Sequence, residues 1–190
     1  MWPGPAVSGL LMTAQGASAN DRKPGREAIG RSRGGLTTKI HLAADLRCRP
    51  VARLTSPGQH GDSPRFIPLM DAIRIRRRGP GRPRRRPGRA MADKAYSSAG
   101  NRAYLRRHRI PAVIPVKEDQ KHTRRNRGRS GGRPPVFDAG WYKKRNTVER
   151  CFSKLKQFRA VATRYDKRES IYQGTIDVAS ISIWLRDPVP

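Results

Sequence analysis

The sequence predicts an α/β or α+β domain, in which two strands precede a strand–helix–strand–helix order. Residues 36–44 are apolar and β-branched, and residues 51–54 repeat that character after a break at Pro50. These two segments therefore predict a hairpin. Further along, short apolar strands alternate with helical patterns, which is typical of a sheet covered by helices.

The first half of the chain yields few elements. Residues 1–30 are dominated by Gly, Ser, Ala and Arg, and they predict a poorly structured segment, so the domain is expected over residues 31–187. After the hairpin, Ser63 and Pro64 predict an N-cap and a first-turn proline. The apolar residues at helical spacing that follow are Phe66, Leu69, Met70 and Ile73.

The second half is richer in elements. A short strand at residues 90–92 leads into Asp93. The later expectations are a helix over 101–109, a strand over 112–115, a single helix over 138–159 and a closing helix over 171–185. Residues 74–89 and 117–135 are crowded with Arg, Pro and Gly, and they predict two basic loops.

The charge of the chain indicates a polyanionic partner. Lys and Arg number 42 against 14 Asp and Glu, giving a formal net charge of +28. Phosphate neutralisation with counterion release supplies most non-specific affinity for nucleic acid, so DNA or RNA is the expected partner. A membrane surface is not expected, because the sequence has no basic amphipathic helix, lipidation motif or spanning segment. The two cysteines, Cys48 and Cys151, are far apart in sequence and support neither zinc nor a disulfide framework, which fits the cytoplasm.

Four charged or aromatic residues share one predicted helix face. At about 100° per residue, Tyr142, Arg145, Glu149 and Lys156 fall within an arc of roughly 60°. One carboxylate flanked by cations suits a metal ion beside a phosphate backbone. A solvated face with weak ion pairs is the alternative for such a row.

The order of these four residues resembles the Tyr-x2-Arg-x3-Glu-x6-Lys signature of bacterial insertion-sequence transposases of the DDE class. The resemblance extends over roughly residues 28–185 and includes the ADKAY block around Asp93. It implies an RNase H-like mixed sheet with flanking helices. It also implies that Asp93 and Glu149 are catalytic acids that hold Mg²⁺ (or Mn²⁺), while Tyr142, Arg145 and Lys156 contact DNA.

The resemblance also exposes a gap. A DDE site needs a first aspartate on the central strand, upstream of residue 30, yet residues 1–20 hold no Asp or Glu. Asp21 and Glu27 lie in a polar stretch, and Asp45 ends the family's second strand. We therefore expect a first strand that is missing or replaced, in a truncated or frameshifted chain, with residues 6–12 as a candidate replacement. Metal would then bind weakly and the chain would catalyse little or nothing.

Each basic loop contains a Gly-Arg-Pro triplet, centred on Arg82 and Arg133. The triplet resembles the AT-hook, which lies in narrow minor grooves where negative potential attracts arginine. A sequence-blind phosphate contact is the alternative. Either interpretation makes both arginines DNA-binding residues.

Three functions therefore remain open from the sequence. The leading one is DNA transposition by a DDE transposase fragment that binds double-stranded element ends and target DNA, as a monomer or a homodimer, near the bacterial nucleoid. The second is a catalytically inactive DNA-binding remnant of a transposase. A ribosomal or nucleoid basic protein would explain the charge, but it would not explain the row from Tyr142 to Lys156.

Overall fold

The computed structural model describes residues 10–19, 27–33, 35–77 and 79–186. These residues form a seven-stranded mixed sheet between helices. The strands are β1 (Leu10–Ala19), β2 (Gly30–Ser32), β3 (Gly35–Ala44), β4 (Pro50–Pro57), β5 (Ala90–Ala92), β6 (Ala112–Val113) and β7 (Thr163–Arg164). The helices are α1 (Phe66–Asp71), α2 (Ala99–Arg107), α3 (Glu118–Asn126), α4 (Ala139–Lys143), α5 (Asn146–Lys156), α6 (Arg159–Ala162) and α7 (Glu169–Arg186).

Strand β1 is the centre of the sheet. It pairs antiparallel with β3 from Leu11↔Ala44 to Ser18↔Thr37, and parallel with β5 from Leu10↔Ala90 to Met12↔Ala92. The order across the sheet is β2-β3-β1-β5-β6, with β4 also on β3 and β7 also on β1. This is an RNase H-like arrangement, as the sequence predicted.

The N-terminal expectation needs correction. Residues 1–30 were predicted to be poorly structured, but β1 lies within them and occupies the position of the first strand. Its sequence, LLMTAQGASA, is rich in small residues with low β-propensity. Pairing on both sides supplies the backbone hydrogen bonds, so position in the sheet outweighs local preference. The central position is therefore occupied by β1, which includes residues 10–12 of the candidate segment; residues 6–9 of that segment lie outside the described residues.

The two faces of the sheet bury separate cores because neighbouring strand residues point to opposite sides. Met91 of β5 packs with α5 and α7 on one face. Ala90 and Ala92, the residues on either side of Met91, pack with α1 and α2 on the other. The fold is therefore a three-layer sandwich, with helices covering both faces of the sheet.

Two predicted segments differ from the structure. Residues 117–135 were expected to be a loop, but they contain α3 and a 3-10 turn at Gly128–Gly131. Glu118 and Asp119 lie in the first turn of α3, and Arg124 and Arg125 lie in its last turn, so both ends complement the helix dipole. The second difference lies just before α1. The N-cap residue of the 3-10 turn at Ser63–Arg65 is Asp62 rather than Ser63, and Pro64 lies in the first turn.

Candidate active site

Asp93 lies where the sequence placed it, directly after β5. Its Oδ1 accepts a hydrogen bond from the backbone N–H of Lys94 at 2.6 Å and caps a 3-10 turn at Lys94–Tyr96. The side chain is half-buried. Asp93 therefore has the structural role of a cap, and it also stands at a strand end, where ligands of α/β sheets commonly bind.

The single helix expected over residues 138–159 is wrong. Helix α4 ends at Lys143 and α5 begins at Asn146, so Tyr142 lies on one helix and Glu149 on the next. Between them the backbone N–H groups of Lys144 and Arg145 reach carbonyls three residues back, at 3.0 and 2.9 Å. These tightened turns change the direction of the chain, and the helical wheel drawn for one continuous helix does not apply to Tyr142.

Three of the four residues in the row nevertheless contact one another. Nη2 of Arg145 donates to Oε1 of Glu149 at 2.5 Å, and its guanidinium carbon lies 5.6 Å from the centre of the Tyr142 ring. Burial lowers the pKa of Arg145, but the hydrogen bond to Glu149, with the nearby charges of Tyr142, Glu149 and Asp93, holds that pKa above its ordinary value. Lys156, exposed, is the last residue of α5.

Helix α5 is held in place by its apolar side. Val148, Phe152 and Leu155 are buried against the sheet, together with Cys151. The helix packs on β1 and β3, and Glu149 and Lys156 lie outside its buried side. The apolar stripe that the sequence predicted therefore fixes the position of Glu149.

Strand β1 brings no acid to the end of β5. The ladder between β1 and β5 ends with Met12 paired to Ala92, and Thr13 and Asp93 are the residues that follow in the chain. No residue of β1 is Asp or Glu. The described residues contain no cluster of three or more Asp, Glu, His or Cys side chains suited to a metal. Two acids, one of them paired with Arg145, do not fit a complete two-metal site.

Asp45 is not a substitute for the missing acid. It is buried, and its Oδ2 accepts from Nε and Nη2 of Arg49 at 2.7 and 2.5 Å. Its Oδ1 accepts from the backbone N–H groups of Arg47 and Arg49 at 2.9 and 3.0 Å. All of these bonds hold the turn between β3 and β4, so the carboxylate of Asp45 is engaged in that turn.

The two Gly-Arg-Pro arginines lie in other parts of the molecule. Arg82 is exposed in the loop after α1, where Ile75 and Arg84 form a short antiparallel bridge. Arg133 is exposed and lines a cavity beside α2 and α3. The sequence had grouped them as equivalent, but the structure gives them different surroundings.

A cationic cluster around Trp141 escaped the sequence analysis. The Arg89 guanidinium carbon lies 4.3 Å from the ring centre, and the Lys144 ammonium lies 4.0 Å from it. Arg89 also reaches Asp138 at 3.5 Å, and Asp138 caps α4 through the N–H of Trp141. Arg89, the last residue of the basic segment 74–89, therefore contacts α4, the helix that carries Tyr142. The sequence signal that could have revealed this cluster was Trp141, which directly precedes Tyr142.

The mixed sheet between two layers of helices places the chain in the class of RNase H-like folds. The chain matches the family model described as "Transposase DDE domain" over residues 11–180, and it belongs to that family. No helix among the described residues is long and apolar enough to cross a membrane.

Two curated relatives are transposases by name. The putative transposase for insertion sequence element IS6501 of Brucella ovis is 29% identical over 151 residues, covering 80% of this chain and 100% of that protein. The putative transposase for IS402 of Burkholderia cepacia is 30% identical over 150 residues, covering 79% of this chain and 63% of that protein.

A solved structure has the same fold. The piggyBac transposase, in a synaptic complex with hairpin DNA, superimposes with a TM-score of 0.54 at 15% identity. The match covers 94% of this chain and 47% of the piggyBac chain, so the chain spans about half the length of that transposase.

Proposed function

We propose that this chain acts in DNA transposition, and that its own contribution is to bind double-stranded DNA of the element ends and target. The observation that carries the proposal is the pair of contacts that Arg145 makes with Glu149 and with the Tyr142 ring. In this arrangement Arg145 and Lys156 bind phosphates and Tyr142 orients the strand. Arg82 and Arg133 add contacts further along the DNA.

The divalent metal of the family would bind at Asp93 and Glu149, as Mg²⁺ or Mn²⁺. Such an ion would supply Lewis-acid stabilisation of the phosphate. Two carboxylates give it fewer charged ligands than the family's three, so weak binding is expected. The absence of an acid in β1 is the observation behind a second candidate, a DNA-binding protein without cleavage activity.

The DNA-binding part of the proposal is tested with a charge-matched pair on α5. Both Lys154 and Lys156 are exposed, but they lie about 200° apart around the helix. Lys156→Ala should weaken binding of a duplex and reduce the slope of log affinity against log salt by about 1, whereas Lys154→Ala should leave that slope unchanged. Fluorescence anisotropy of a labelled duplex measures both. Equal effects of the two substitutions would contradict the orientation proposed for α5.

The choice between the two candidates depends on cleavage. The purified chain is incubated with element-end DNA and Mg²⁺ or Mn²⁺, and strand cutting is followed on a denaturing gel. Metal-dependent cutting that disappears in Asp93→Ala would establish an active transposase with two acids. DNA binding without cutting would support the inactive remnant.

The remaining proposals concern assembly and location. We propose that the chain pairs as a homodimer on DNA, and that it works at the bacterial nucleoid, where its substrate lies. Sedimentation of the chain with and without a duplex measures the stoichiometry. One chain per duplex at saturation would rule out the dimer.

A further inference from the structure

A cationic cavity of about 380 Å³ lies between α2, α3 and the segment after α3. Asp119 is the one carboxylate in its lining. The arginines that line it are Arg102, Arg106, Arg124, Arg127 and Arg133. Among the described residues, no ion pair neutralises any of these five. Burial, followed by the charges of Arg124 and Arg106, lowers the pKa of Arg102. Like charges gathered in one concave place need an anionic partner.

The cavity adjoins the candidate active site and has a fixed wall. Nη2 of Arg102 donates to Oγ of Ser97 at 2.9 Å and to the carbonyl of Ile114 at 2.8 Å. Ser97 in turn donates to Gln120 of α3 at 2.9 Å. Ser97 closes the short turn that Asp93 begins. An anion in the cavity would therefore be positioned by the same turn that presents the catalytic acid.

A second cavity, of about 510 Å³, shares a wall with the first. Val116, Arg124 and Pro135 line both cavities. Lys121, Arg124 and Arg125 line the second cavity together with apolar side chains, one of which, Phe137, is 43% exposed. The ring of Phe137 lies 5.3 Å from that of Tyr142, centre to centre. The two cavities and the candidate active site thus follow one another along the surface.

The cationic linings together with the exposed Phe137 ring suit one form of DNA. A duplex presents phosphates on its outside and keeps its bases stacked within, so an exposed phenylalanine makes no contact with its base faces. An unpaired strand presents both phosphates and base faces. Proteins that bind single strands join a positively charged groove to aromatic side chains on which bases stack.

We infer that the two cavities bind an unpaired DNA strand next to the catalytic acids, with its phosphates on the arginines and a base against Phe137. This inference rests on the proposed function, because it describes how the same DNA continues beyond Asp93 and Glu149. It adds a preference for unpaired nucleotides to a protein proposed above to bind duplex DNA.

The first test compares two neighbouring exposed residues. Phe137→Ala should weaken binding of a labelled single-stranded oligonucleotide about tenfold, as expected for the loss of one stacked base. Val136, which is 76% exposed and lines neither cavity, provides the control, and Val136→Ala should change affinity less than about twofold. Binding of a duplex of the same sequence should be nearly equal for both variants. Anisotropy titrations give all these affinities.

The second test compares two arginines on α2. Arg106 lines the cationic cavity and Arg107 does not, and both are exposed. Arg106→Ala should reduce the salt slope for single-stranded DNA by about 0.7, the value for one phosphate contact, and Arg107→Ala should not. The two variants have equal net charge, so a difference between their salt slopes reflects the position of the arginine relative to the cavity.

The outcomes separate the two proposals. If the wild-type chain binds neither duplex nor single strand, the proposed function fails. If it binds duplex while Phe137→Ala and Val136→Ala bind single strands equally, the inference of a strand site fails and the proposed function stands. If Phe137→Ala lowers the affinity for duplex and for single-stranded DNA equally, the cavities do not distinguish unpaired from paired DNA, and the inference is overturned.

Discussion

His41 is a fully buried histidine on the central hairpin. Its Nε2 pairs with Oγ of Ser56 at 2.7 Å, and its Nδ1 has no hydrogen-bond partner within the described part of the chain. Burial, opposed by the charge of Asp62, lowers the pKa of His41 to about 4. The folded protein therefore holds His41 neutral at pH values where the unfolded chain protonates it.

This difference predicts a loss of stability in acid. Between the unfolded value near 6.5 and the folded value of about 4, the unfolded state binds more protons, so the free energy of unfolding falls as the pH falls. From pH 7 to pH 5 the histidine should cost about 2 kcal/mol. His41→Gln should remove that part of the loss, as measured by urea unfolding at constant ionic strength.

The control for this prediction is His60, which is exposed near the same hairpin. His60→Gln should keep the wild-type difference between pH 7 and pH 5. If His41→Gln keeps that difference as well, another group carries the acid sensitivity.

At the scale of elements, β1 determines what the site can do. Its ladder with β5 ends at Met12↔Ala92, one residue before Thr13 on β1 and Asp93 after β5. Thr13→Asp should tighten binding of Mn²⁺ about tenfold, because a third carboxylate joins the two already present. Isothermal titration calorimetry measures the affinity. The gain should disappear in Thr13→Asp combined with Asp93→Asn.

The control is an acid placed one residue further along β1. Ala14→Asp adds the same charge in the same strand but not in register with Asp93, and it should leave the affinity for Mn²⁺ unchanged. An equal gain in both variants would mean that charge alone, rather than the position beside Asp93, controls metal binding.

Elements with strong local signals were predictable from the sequence. The β-branched residues of β3 and the helical spacing of α7 predicted their elements to within a few residues. Strand β1 was not predicted as a strand, because its small residues acquire β structure only by pairing with β3 and β5. Helix α3 was not predicted, because the Arg- and Gly-rich segment that contains it has the composition of a loop. The acidic first turn and basic last turn of α3 were the signal that this composition obscured.

The site residues that lie next to strong local signals were also predictable. Asp93 followed from the strand before it, and Glu149 from the apolar stripe beside it. The break between α4 and α5 was not visible, since no proline or glycine marks it. The two cavities beside α2 and α3 depend on packing between segments distant in sequence, which a pattern along the chain does not reveal.

At the scale of the whole molecule, the net charge of +28 opposes compaction and favours DNA. These two effects respond to salt in opposite directions. Without DNA, raising the salt concentration from about 50 to about 200 mM should raise the melting temperature by roughly 2–4 °C, because screening weakens repulsion. With duplex DNA present near its dissociation constant, the same change should lower the melting temperature, because binding is lost.

Differential scanning fluorimetry at both salt concentrations, with and without the duplex, checks this prediction. A neutral osmolyte at matched osmolarity controls for effects other than screening. A melting temperature that rises with salt under both conditions would show that DNA does not stabilise the fold.

The central position of β1 has a consequence for the time course of folding. Its partners β3, β5 and β7 all follow it along the chain, the last at Thr163–Arg164. A ribosome therefore completes β1 before any of these partners, and the ladder to β7 closes only after more than a hundred further residues have emerged. Until β7 emerges, the Ser18–Ala19 end of β1 lacks one of its two partners, and an unpaired strand edge of this kind is a site at which aggregation begins.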